Sequence, residues 1–250
     1  MTSSAHFLVS VEPEVHEFVI RLTLSEPGAA PLELSLPAWI PGSYMVRDFA
    51  RNVTELVATD DSGRLPVQKT DKQTWSVEHR SGDLQIDYRV YALDLSVRSA
   101  FLDDTRGFFN GTSLFLKPNV DVQQWRVTLV RPQGRTTRHW SVHTTLPAVA
   151  CDEQGFGDYE APDYGQLIDH PVELGDMDVG DFSVGTVPHR IAISDGGRFD
   201  MARLCRDVGR VCAEHVALFD ELPVDQYLFL TLATADGYGG LEHRDSTSLV

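Results

Sequence analysis

A two-residue hydrophobic period recurs through the first 150 residues and constrains the fold more than any other feature. Phe18, Ile20, Leu22 and Leu24 alternate with Val19, Arg21 and Thr23, and Leu32, Leu34 and Leu36 repeat the pattern. Leu84, Ile86, Tyr88 and Val90 alternate with Gln85, Asp87 and Arg89, as Trp125, Val127 and Leu129 do with Arg126 and Thr128. Side chains on a strand point to opposite faces in turn, so this pattern predicts antiparallel strands with one face buried. Turn sequences separate the runs: Glu26-Pro27-Gly28, Asp61-Ser62-Gly63, Ser81-Gly82-Asp83 and Pro132-Gln133-Gly134. Many short strands at this spacing predict a β-sandwich.

The pattern changes after residue 150. Residues 151–172 are rich in Asp, Glu and Gly and read as a connecting region. His189, Ile191 and Ile193 then form a strand pattern, and Asp195-Gly196-Gly197 a turn. From Met201 to Phe219 the apolar positions (Leu204, Cys205, Val208, Val211, Cys212, His215 and Leu218 among them) follow helical spacing, with Asp200 as N-cap and Pro223 as a stop. Tyr227–Thr234 reads as an apolar strand, and residues 239–250 as its returning hairpin partner. The expected organisation is mainly β. An N-terminal antiparallel β-sandwich-like domain covers 1–170, and a second, α+β unit begins over 171–250. The chain stops inside an apolar stretch at Ser248-Leu249-Val250. That predicts a truncated unit with an unpaired edge near 246–250, open to dimer formation.

Composition narrows the function classes. Thirty-seven acidic against 21 basic residues leave a formal charge of −16, which disfavours nucleic-acid and anionic-membrane partners. No apolar run approaches the ~20 residues of a membrane helix, and the first residues lack the basic start of a secretory signal, so a cytoplasmic location is expected. Three cysteines, Cys151, Cys205 and Cys212, are an odd set. The last two stand ~10 Å apart on the predicted helix, too far to bridge. No H-E-x-x-H, C-x-x-C, phosphate loop or G-x-S-x-G occurs. His139 and His143 have H-x-x-x-H spacing, but on a strand they would stand ~13 Å apart, so no metal site is expected from them.

Two segments carry more information. The first runs Pro37-Ala38-Trp39-Ile40-Pro41-Gly42-Ser43-Tyr44-Met45-Val46-Arg47-Asp48-Phe49-Ala50-Arg51. It reads either as a rigid corner with Trp39 and Tyr44 packed on the sandwich, or as a loop in which Trp39, Tyr44 and Arg47 contact a second domain or a ligand. The other is Gly237-Tyr238-Gly239-Gly240-Leu241-Glu242-His243-Arg244-Asp245-Ser246. Glycines within a strand mark a bulge or a close backbone approach. The segment therefore reads either as a bulged edge hairpin with a solvated carboxylate, or as an edge strand that pairs with an extended peptide.

Both segments resemble signatures of the glycyl aminopeptidase family of zinc metallopeptidases, in the thermolysin-like clan, and the likeness spans nearly the whole chain. The resemblance implies a β-rich N-terminal domain followed by a thermolysin-like catalytic domain, of which 171–250 would be the first part. It implies a zinc held by two His of H-E-x-x-H and a later Glu, none of which this sequence contains. The expectation is thus an N-terminal fragment, inactive alone, with zinc only in the full-length enzyme. The implied activity is removal of N-terminal glycine or other small residues from peptides with a free N-terminus. By analogy with related aminopeptidases that carry a Gly-x-Met-Glu-Asn strand, Glu242 would grip the substrate ammonium, with Gly239, Gly240, Leu241 and His243 lining the substrate. The alternatives are a stand-alone β-sandwich module that binds sugar or protein through Trp39 and Tyr44, and a structural domain with no small-molecule site.

Overall fold

The computed structural model describes residues 3–28, 31–79 and 82–250. The chain is mainly β, as its alternation predicts. An eight-stranded sheet runs in the order Ala148–Cys151, Gly157–Ala161, Gln124–Leu129, Ser4–Glu12, Glu17–Ser25, Leu84–Tyr91, Val53–Asp60, Gly63–Leu65. Its pairings are antiparallel except one, where Ser4–Glu12 lies parallel to Gln124–Leu129. A four-stranded sheet (Lys117–Pro118, Pro31–Ser35, Thr74–Glu78, Val67–Lys69) shares its core. Phe18, Ile20, Leu22 and Leu24 from the large sheet and Leu32, Leu34, Trp75 and Val77 from the small one are all buried in one cluster. That is sandwich packing, and the side chains are those the period-two pattern selected. Of the turn expected at Ser81-Gly82-Asp83, Ser81 lies outside the described residues.

A second four-stranded sheet (Ser141–His143, Val172–Gly175, Arg106–Phe109, Ala100–Leu102) leads to a five-stranded one. The five-stranded order is Asp178–Val184, Val187–Ser194, Tyr227–Leu232, Ser246–Leu249, Gly240–Glu242. One of its faces carries Ala192, Leu228 and Leu230, which pack with Phe101 and Phe108. The other carries Ile191 and Ile193, which pack with Cys205 of the helix Met201–Phe219. At this seam Arg106 and Glu173 form a bidentate pair at 2.6 and 3.0 Å, with both side chains buried. The Arg106 guanidinium also lies 5.2 Å from the Phe101 ring centre. The Asp200 side chain caps the helix by accepting from Arg203 N.

The structure corrects several expectations. Residues 151–172 are not a plain connector. They supply Gly157–Ala161, a short helix Tyr164–Ile168 and the start of Val172–Gly175. Their strand pattern was masked because the outward positions are acidic. Asp158 accepts from Thr128, and Glu160 pairs with Arg126. The helix ends at Phe219, before Pro223, on Asp220 in the left-handed region. His139 sits exposed in a turn rather than on a strand with buried His143.

The end of the chain does not fold back on Tyr227–Leu232 as a simple hairpin. Ser246–Leu249 lies parallel to that strand, and Gly240–Glu242 pairs antiparallel to Ser246–Leu249. Ser246–Leu249 is therefore paired on both sides, and the edge expected at 246–250 falls instead at Gly240–Glu242. Apolar alternation defines faces but carries no strand direction.

Candidate functional site

The two unusual segments, far apart in sequence, meet in space. Gly42, at φ +82°, faces the Gly240–Glu242 strand. A Cβ added there would lie 2.7 Å from Leu241 Cδ1 and 3.4 Å from Glu242 Oε1. A side chain there would be strained by the positive φ and would press on buried Leu241. The loop around Gly42 is braced by its own polar groups. Trp39 Nε1 donates to Ser43 O at 2.7 Å, Arg47 Nε donates to Ser43 Oγ at 3.0 Å, and Arg47 N donates to Ala38 O at 2.7 Å. Ile40, Phe49 and Ala50 anchor it in the sandwich core. Trp39 and Tyr44 do not pack there: Trp39 is 48% exposed and Tyr44 fully so. Both aromatics belong to the loop whose Gly42 abuts the strand that carries Glu242.

The hairpin is held from outside. Arg98 Nη2 donates to Gly240 O at 2.8 Å. Leu241 is fully buried in the sandwich core cluster, and its backbone faces Ser248 within the ladder, so it serves to hold the strand. The His243 side chain is also buried, with Nδ1 3.2 Å from Asp169 Oδ1 and Nε2 without a partner. Thr145 Oγ1 donates to Asp245 Oδ1 at 2.5 Å, and His170 Nδ1 lies 3.4 Å from the same oxygen. Burial pushes the Asp245 carboxyl up, but hydrogen bonds from His170 and Thr145 outweigh it and leave the group below its ordinary value. Consecutive residues Asp169 and His170 thus grip His243 and Asp245 on either side of Arg244. No sequence signal pointed to Asp169, His170, Thr145 or Arg98, because each acts through a contact with a distant segment.

Glu242 differs from its neighbours. It is exposed, and among the described residues its carboxylate has no hydrogen-bond or ion-pair partner. The hydrogen bonds between Gly239 and Val250, and from His243 N to Ser246 O, set the register of the ladder. In an antiparallel pair the bonded residues alternate. Gly240 and Glu242 therefore turn their backbone groups outward, away from Ser246–Leu249. The site is a sheet edge with a free carboxylate, two glycines and outward peptide groups of which Gly240 O is held by Arg98, abutted by the Gly42 loop that also carries Trp39 and Tyr44.

A second concavity, of about 230 Å³, opens where the strand Ser141–His143 meets the five-stranded sheet, lined in part by His143, Thr145, His189, Arg190 and Tyr227. Burial, with a smaller contribution from Arg190, pushes the His143 imidazole down to about 4. Among the described residues no three His, Cys, Asp or Glu side chains come together to hold a metal ion. No helix among them is long and apolar enough to cross a membrane.

Residues 6–176 match the Peptidase M61 N-terminal domain, and the chain belongs to that family. It is 34% identical to an aminopeptidase N family protein from Idiomarina loihiensis, with a TM-score of 0.92, over 99% of its own length and 42% of that chain. An M1 zinc metallopeptidase from Deinococcus radiodurans superposes with a TM-score of 0.51 at 15% identity, over 99% of this chain and 59% of that one. A variant of the Deinococcus protein bound to a Tyr-Ser-Ala substrate gives a TM-score of 0.52 at 15% identity. At that identity the likeness is one of fold alone. The chain thus spans less than two thirds of each of these proteins. No curated protein matches it in sequence.

Proposed function

We propose that this chain is the N-terminal portion of a zinc-dependent aminopeptidase, and that Glu242 anchors the substrate's free α-amino group. One observation carries the reading: the exposed Glu242 carboxylate, unpaired among the described residues, stands on an edge strand whose outward peptide groups are free apart from Gly240 O, which Arg98 holds. An extended peptide can add to such an edge through main-chain hydrogen bonds. An α-amino group, with a pKa of ~7.7–8.0, is mostly protonated at neutral pH. A hydrogen bond from it to a carboxylate contributes roughly 1.5–3 kcal/mol. The Gly42 loop supports the carboxylate from one side, and the contacts to Asp169, His170 and Arg98 fix the strand that bears it. Trp39 and Tyr44 offer apolar surface to the peptide, and Gly239 and Gly240 let its backbone approach. His243 serves from behind, by holding the strand, rather than by touching substrate.

When bound, zinc would polarise the scissile carbonyl and activate water. The described residues do not form a site for it, so in this reading the ligands lie elsewhere in the parent enzyme. The preference for glycine or other small residues rests on the family resemblance of the two segments. The test is Glu242→Gln in the longer enzyme, assayed on glycyl-anilide and on its N-blocked counterpart, with and without chelator. Expected is a loss of roughly 10- to 100-fold in kcat/KM on the free amine, with little change on the blocked substrate. Equal losses on both would remove the anchor role, and cleavage insensitive to chelator would remove the metallopeptidase reading.

A further inference from the structure

The five-stranded sheet has a second free edge, remote from Glu242. Among the described residues Asp178–Val184 pairs only with Val187–Ser194, through a turn at Gly185-Thr186. Closure of a two-residue hairpin makes Val184 and Val187 a hydrogen-bonded pair. Alternation then places Phe182 and Gly180 in bonded pairs, and leaves the backbone groups of Val179, Asp181 and Ser183 pointing outward. Pro188 supports this register: it has no N–H and stands opposite Ser183, where the ladder needs none.

Along this edge runs an open groove of about 880 Å³, walled by the helix Met201–Phe219. The helix axis follows the strand. Gly180 lies under Met201 and Cys205, and Phe182 lies under Gly209, where a Cβ would meet its ring at 3.2 Å. The groove's lining is mostly apolar, with two cations, Arg206 and Arg210, on the helix side. Among the described residues neither forms an ion pair. Arg203 is paired with Asp207 on the same helix, and the strand's own Asp181 is held by Arg190 at 2.7 Å. Asp181 and Asp207 are thus engaged with other arginines, while Glu214, one turn beyond Arg210, forms no ion pair among the described residues.

We propose that this groove binds an extended acidic peptide, which adds as a sixth strand to the Asp178–Val184 edge and places two carboxylates against Arg206 and Arg210. The spacing selects the partner. Residues four apart on a helix rise ~6 Å, and residues two apart on one face of a strand are separated by ~6.6 Å. A peptide with acidic residues at alternate positions therefore matches the two arginines in register, while its main chain meets the free groups of Val179, Asp181 and Ser183.

The test uses the 250-residue chain and a labelled peptide, acetyl-Val-Glu-Val-Glu-Val-amide. Expected is saturable binding in fluorescence anisotropy that weakens about tenfold or more when both Glu are replaced by Gln, in the Arg206→Ala/Arg210→Ala variant, or on raising the salt. Both arginines are exposed, so that variant keeps its fold. Amides of Val179, Asp181 and Ser183 should gain hydrogen-exchange protection, while Gly180 and Phe182, already in the ladder, should change little. N-methylation of one alternate set of peptide amides should abolish binding, and methylation of the other set should not. The proposal is overturned if the Gln peptide binds as well, if both methylated sets behave alike, or if the edge amides gain protection from self-association without peptide.

Discussion

The sandwich and the five-stranded sheet bury their apolar residues in different ways. In the sandwich a single contiguous cluster runs from Ala5 to Leu174, includes fully buried Phe7, Phe18, Phe109 and Phe115, and takes in Leu241 from the five-stranded sheet. The rest of the five-stranded sheet divides its buried residues between two small clusters, one shared with Phe101 and Phe108 of the first region and one with the helix. The helical stripe from Met201 to Phe219 is used only in part. Cys205 is buried, whereas Val211, Leu218 and Phe219 are 57, 74 and 69% exposed. A region that owns its core is stable by itself, and one that borrows it depends on the seam.

The largest expected contrast comes from truncating one aromatic in each region. Phe109→Ala removes a buried ring packed edge-on against Phe18 and Phe115 and should cost about 3–5 kcal/mol in denaturant unfolding. Phe219→Ala should change stability by less than about 0.5 kcal/mol. Similar losses in both would show that the helix end is covered in solution and would erase the contrast.

Next in size is a pH effect at the seam. The folded-state value of about 4 for His143 lies below the ordinary 6.5. Between those values the unfolded chain binds the proton and the folded one does not. The stabilisation is therefore complete above the ordinary value and is lost as pH falls toward 4. At 1.36 kcal/mol per unit it amounts to at most about 3 kcal/mol. His143→Phe should flatten the slope of stability against pH between 4 and 6.5, and an unchanged slope would assign it to another group.

The smallest effect sharpens the role of the clasp. Asp169→Ala removes the only partner of the His243 ring among the described residues and should weaken anchoring of the hairpin by about 1 kcal/mol. Amides from Gly240 to Leu249 should then exchange faster, while those of the sandwich strands should not. Uniform loss of protection across the chain would mean that the contact stabilises the whole fold rather than the strand bearing Glu242.

Some features of the two regions were legible in the sequence because they are local. The inward faces of Glu17–Ser25 and Leu84–Tyr91 follow from the alternation of Cβ directions along a strand. The start of the helix follows from Asp200, whose carboxylate can accept from an N–H three residues on. The motif around Glu242 was legible as a glycine-rich strand with an acid, but its surroundings were not. Trp39 and Tyr44 look like core residues in composition, but they stand exposed on a loop braced by the Trp39 indole, Ser43 and Arg47.

By itself the sequence determined which residues alternate, where the long helix begins, and that two glycine-containing segments would break regular structure. Tertiary structure alone decided that Ser246–Leu249 runs parallel to Tyr227–Leu232, that Gly42 abuts Glu242, and that Asp169 and His170 hold the hairpin. The division is physical. Which face a side chain takes depends on its own backbone and nearest neighbours, whereas the direction of a strand and the partner of a buried polar group are set by segments that meet only when the chain closes on itself.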